Sequence, residues 1–144
     1  MSRLGDPRPF WHFARTWFLK PLGAPSFRAF WTYWNPVYGY LLLYFVYRPL
    51  RRYLPRSVAT FLTFVVSGLL LHDLPFTISA EIVRGQAVVP SGTILLASFG
   101  ALVVLSDVLH LDLSRYPRWL RIGANVGWLA AGFVLRRLIV AVWR

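Results

Sequence analysis

SVATFLTFVVSGLLLHDLPFTISA, residues Ser57 to Ala80, is the stretch on which the fold turns. Asp73 is its only formal charge, and its neighbour His72 is its only other ionisable side chain. Wound as a helix at 1.5 Å per residue it reaches about 36 Å, more than the roughly 30 Å hydrocarbon core of a bilayer. An ionisable pair inside such a run costs on the order of 2 to 4 kcal/mol to insert, so His72 and Asp73 are functional candidates from the outset.

Three further uncharged or nearly uncharged runs flank it. Ala29 to Tyr47 lies between Arg28 and Arg48, and Ala87 to Ser106 ends at Asp107. Ile122 to Trp143 is interrupted only by Arg136 and Arg137, so it is either a tilted span with snorkelling arginines or a shorter interfacial helix. Hydrophobic residues make up 57% of the 144 and charged residues 15%, well under the quarter usual in soluble domains. Mean hydropathy is +0.52. The expected fold is therefore all-α: a single polytopic membrane domain over 1–144. Its parts are an interfacial helix at 7–20, a re-entrant or spanning helix at 29–47, spans at 57–80 and 87–111, and a span or interfacial helix at 122–143.

The N-terminal helix is expected from Phe10, Phe13, Ala14 and Trp17 on one face and Arg8, His12 and Arg15 on the other, with Pro21, Gly23 and Pro25 closing it. Charges interleaved with aromatics there leave no apolar core for a cleaved signal peptide. Asn35-Pro36 predicts a break or helix start, because proline cannot donate to the ladder and restricts the residue before it. Pro75 predicts a bend in the Ser57–Ala80 run.

Lys and Arg number 16 against 5 Asp and Glu. In a soluble protein that balance would suggest nucleic acid, but no motif for it is visible and the arginines cluster in short loops between apolar runs. The positive-inside rule and anionic headgroups account for them, which places loops 48–56 and 115–121 in the cytoplasm and the Glu81–Gln86 turn outside. Both ends of the 29–47 helix then fall on the cytoplasmic side if it is re-entrant. Cysteine is absent, so disulfides and thiolate metal sites are excluded.

Read in order, Trp31-Thr32-Tyr33-Trp34-Asn35, Tyr44-Phe45-Val46-Tyr47 and Phe64-Val65-Val66-Ser67-Gly68-Leu69-Leu70-Leu71-His72-Asp73 resemble the membrane-bound O-acyltransferase (MBOAT) family, and most closely its sterol and diacylglycerol acyltransferase branch. The likeness covers about residues 26 to 80, with Asn35 and His72 standing 72 − 35 = 37 positions apart. The resemblance implies that His72 is the general base that deprotonates an acceptor hydroxyl, and that Asn35 orients donor or acceptor. It implies no cofactor, with acyl-CoA or an acyl-carrier thioester as donor substrate. Arg48, Arg51 and Arg52 are available for the donor's phosphates, and Trp34 and Asp73 are further substrate-side candidates. Family members carry more spans than this chain, so an oligomer or additional membrane subunits in the bilayer are expected as partners.

Other readings stand beside this one. Asn35 before Pro36 suits a helix cap, and Trp31 and Trp34 suit packing or an aromatic belt. Asp107, His110 and Asp112 have a spacing that a metal could use, though the end of a span favours an interfacial polar cluster. Gly123 and Gly127 have the small-xxx-small spacing of close helix packing. The rival function is a non-catalytic accessory subunit of a larger membrane complex, with His72 or His110 ligating a pigment or haem as a variant.

Overall fold

The computed structural model describes residues 15–85 and 89–142, and all of their regular structure is helical. Six helical runs follow one another: α1 (15–22), α2 (Phe27–Trp34), α3 (36–53), α4 (56–84), α5 (Ser91–Val108) and α6 (Arg118–Val142). Among the described residues, three helices are long and apolar enough to cross a membrane: Arg56–Phe76 within α4, then α5, then α6. The expected helix at 7–20 lies largely outside the described residues; its last part, 15–20, is helical and runs on through Pro21, expected to close it, to Leu22.

Each boundary has a local cause. Asn35 leaves the helical region at φ −145°, ψ 93°, and its Oδ1 accepts from the Tyr38 amide at 3.2 Å, with Pro36 opening α3. Ser26 does the same for α2 through the Ala29 amide. These are ordinary N-caps, each satisfying a donor that the first helical turn leaves without a partner. In α4, Pro75 sits inside a ten-residue π-helical segment, Leu69–Ile78. Helices locally widened in this way accommodate irregularities such as a proline's missing N–H. α6 begins at Arg118, four residues before the expected 122, directly after Pro117, and continues unbroken past Arg136 and Arg137.

The core is aromatic. Phe27 and Phe30 of α2 are fully buried against Leu96, Phe99 and Val103 of α5. Phe27 stacks on Phe30 and on Trp128 of α6, each at 5.8 Å between centroids, and Trp31 meets Phe99 at 5.1 Å and Phe64 of α4 at 5.2 Å. Glycines let the helices close on these rings. A β-carbon on Gly100 would come within 2.8 Å of Phe64 Cβ, and one on Gly68 within 2.5 Å of Thr93 Cα. One on Gly132 would fall inside the Phe99 ring's van der Waals surface. Gly123 and Gly127 meet nothing within 4 Å, so their spacing packs no helix of this chain among the described residues.

The Pro21–Pro25 break leaves carbonyls without helical partners, and α6 supplies donors for them. Asn125, buried in α6, donates Nδ2 to Leu22 O at 2.8 Å and Ala24 O at 3.0 Å. The Leu113 amide reaches Pro25 O at 2.8 Å. The start of α2 is tied to the bundle by Arg28, whose guanidinium donates to Asp107 at the end of α5 and to Thr60 near the start of α4. α3 runs into α4 through Leu54 and Pro55 alone. The α2–α3 hairpin therefore has both its ends at the end of the bundle where α4 starts and α5 stops. Its apex, Asn35, lies about 12 Å along α2 from that end at helical rise.

Candidate functional site

Because α3 diverges from α2 at Asn35, a groove of about 820 Å³ opens between this hairpin and α4. Its floor is Trp31, Phe64 and Phe99; its walls carry Trp34, Asn35, Tyr38 and Gly39 on one side and Thr63, Ser67, Leu71 and His72 on the other. Asn35 and His72 thus line the same cavity. The Asn35 Oδ1 is engaged by the cap, which leaves its Nδ2 as the donor it can offer to a ligand. His72 is exposed overall, while its Cβ lies against the start of α5: a β-carbon added to Gly92 would sit 2.6 Å from it.

Asp73 has a different position from its neighbour. It is fully buried and does not line the groove. Its Oδ1 accepts from the Gly92 amide at 2.8 Å and its Oδ2 from the Thr93 amide at 2.6 Å. The carboxylate caps α5 from another helix, where the first-turn amides and the helix dipole both favour negative charge. Consecutive residues on a helix project in different directions, and here the step from one to the next sends His72 to the groove and Asp73 to the bundle.

The other expected site residues spread out. Trp34 is 39% exposed, stacks on Phe30 at 5.5 Å and reaches the groove. Arg48 lies 4.0 Å over the Tyr44 ring, Arg51 donates to Leu54 O at 3.0 Å at the end of α3, and Arg52 is exposed. None of these three arginines lines the groove; they gather at the hairpin's C-terminal foot.

A second cavity of about 680 Å³ lies at that same end of the bundle. Ser26, Arg28, Arg56, Ser57, Asp107, His110 and Asp112 line it, and Arg28 lines the groove as well. Here the cluster expected at 107–112 is resolved into separate duties. Asp107 pairs with Arg28. His110, at φ 53°, keeps Nδ1 within 2.9 Å of Asp107 O. Asp112 Oδ1 accepts from the Ser114 amide at 2.8 Å. The Ser114 amide and hydroxyl, followed by the Arg115 charge, hold the Asp112 carboxyl below its ordinary range. No three His, Asp or Glu side chains are grouped to hold a metal among the described residues. The sequence reading missed the Arg28–Thr60–Asp107 tie. The available signal was that Arg28 and Asp107 each stand alone at the end of an uncharged run.

No known family model, characterised protein or solved structure matches this chain, so its function is argued from the groove and the residues that line it.

Proposed function

We propose that this chain is an MBOAT-like O-acyltransferase of the membrane, and that the groove between α2–α3 and α4 is its acyl site. The observation that carries the reading is the convergence of Asn35 and His72, 37 positions apart in sequence, on one largely apolar cavity. In this mechanism neutral His72 takes the proton of an acceptor hydroxyl as its oxygen attacks the thioester carbonyl. The Asn35 amide N–H donates to the oxyanion of the tetrahedral adduct. The carbon–sulfur bond then breaks, the thiolate leaves with the proton from His72, and the ester remains. Arg48, Arg51 and Arg52 are exposed at the foot of the hairpin, where phosphates of a cytoplasmic donor would meet them. With the basic segments 48–56 and 115–121, helical over 48–53 and from Arg118, facing the cytoplasm, the α2–α3 hairpin is re-entrant and Asn35 lies at depth.

The test is acyl transfer from radiolabelled acyl-CoA to a membrane lipid extract by protein purified in mild detergent. Wild type transfers label; His72→Ala loses at least ~100-fold, the usual weight of a general base. Asn35→Asp keeps an oxygen for the Tyr38 cap and removes the N–H donor, so it loses turnover while keeping the fold. Transfer by His72→Ala at the wild-type rate would remove the mechanism.

A second reading, the accessory subunit, is favoured by one observation: α6 presents Val126, Gly127, Phe133, Val134 and Leu138 to the outside with no cover from the described residues. Retention of a stoichiometric membrane partner, with no transfer by either form, would support it.

A further inference from the structure

We infer that the polar cavity and the apolar groove form one continuous site for a zwitterionic phospholipid, with the headgroup in the polar cavity and an acyl chain in the groove. This rests on the groove being an acyl-chain site, as in the proposed function, and not on any reaction at His72.

Two helix faces run from one cavity into the other. On α4, Ser57 lines the polar cavity, and Thr60, Phe64 and Ser67, at spacings of three and four, line the groove. On α5, Asp107 lines the polar cavity and Val103 and Phe99 line the groove. Arg28 belongs to both. A site charged at one end and apolar along the rest fits an amphiphile lying along the bundle, and both volumes are within the ~300–1,000 Å³ typical of ligand pockets.

Charge complementarity selects the headgroup. Arg28 and Asp107 neutralise each other. That leaves Arg56, with no carboxylate in salt-bridge range among the described residues, and Asp112, which accepts from Ser114 two positions on and has no cation in salt-bridge range there, Arg115 acting on it only from farther away. Arg56 and Asp112 are both exposed and line the same cavity. A phosphate beside Arg56 and an ammonium beside Asp112 satisfy both. An anionic headgroup leaves Asp112 opposed, and a headgroup without phosphate leaves Arg56 unmatched.

Native mass spectrometry in mild detergent tests this, titrating phosphatidylethanolamine, phosphatidylglycerol and diacylglycerol of identical chains against wild type and His72→Ala. Phosphatidylethanolamine should bind about tenfold more tightly than diacylglycerol, the worth of one charge-assisted contact, and more tightly than phosphatidylglycerol. Arg56→Ala removes the advantage over diacylglycerol, and Asp112→Asn the advantage over phosphatidylglycerol. Gly39 faces open groove, so Gly39→Phe, or Gly39→Leu if the ring disturbs the helix, weakens all three. Equal binding of diacylglycerol, preference for phosphatidylglycerol, or binding unchanged by filling at Gly39 would each overturn the inference. Tight phosphatidylethanolamine binding by both forms, with no acyl transfer by wild type, keeps it and removes the proposed reaction.

Discussion

At the scale of single residues, His72 and Asp73 show how adjacent ionisable groups divide their work. The amides of Gly92 and Thr93 hold the Asp73 carboxylate, so its burial is compensated and its removal is costly. Asp73→Ala loses two hydrogen bonds to an ionised group, and we expect about 3 kcal/mol of destabilisation, read as a lowered melting temperature by circular dichroism in detergent. Thr93 provides the contrast. Its buried Oγ1 has no partner among the described residues, so the isosteric Thr93→Val is expected to be silent or mildly stabilising in the same assay. An Asp73→Ala protein as stable as wild type would show that the cap carries no weight. The sequence marks Asp73 as unusual but not as a cap, because its partners are 19 and 20 positions away. One clue was present: α5 opens on Pro90, which has no side-chain acceptor, so its cap had to come from elsewhere. Asn35 was easier, since an Asn-Pro pair carries both cap and helix start in two adjacent letters.

Among the elements, the apolar runs were legible because length and absence of charge suffice to define them, and α4, α5 and α6 fall where those runs stand. Contacts between helices were less legible. Gly-xxx-Gly spacing drew attention to Gly123 and Gly127, yet Gly132, one of the smallest surfaces on α6, is where the Phe99 ring seats. Spacing identifies a smooth face but cannot say which way the helix is rotated; that is fixed by Asn125 and Trp128 engaging the α1–α2 segment. The two kinds of glycine predict opposite responses. Gly132→Ala forces the Phe99 ring out of its seat and is expected to cost about 1–3 kcal/mol. Gly127→Ala meets open space and gains helix propensity, so it is expected to hold or raise stability by up to ~1 kcal/mol. Parallel thermal melts of the two variants decide the matter, and equal losses would place α6 in a different rotation.

For the whole molecule, the question is how the hairpin sits relative to the three longer helices. Arg28 joins α2 to Thr60 and Asp107, and α3 hands over to α4 within two residues, so entry and exit of the hairpin share one end of the bundle. On the proposed topology residues 27–53 are re-entrant, with Arg15, Arg52 and Ser114 on one side of the bilayer and Arg84 on the other. All four are exposed, and the chain has no cysteine of its own, so single-cysteine variants report without background. In intact cells, a membrane-impermeant maleimide should label Arg84→Cys and spare Arg15→Cys, Arg52→Cys and Ser114→Cys, which label only once the membrane is opened. If Arg15→Cys labels together with Arg84→Cys, the 27–53 segment crosses the membrane, the hairpin that brings Asn35 to the His72 groove is lost, and the acyl-transfer reading falls with the topology. If Arg15→Cys behaves as Arg52→Cys does, the Asn35 break lies inside the bilayer. Backbone that leaves the helical ladder at that depth is tolerated only where protein or a filled cavity satisfies it. The cap on Tyr38 satisfies one group, and the groove beside it is the place for a ligand.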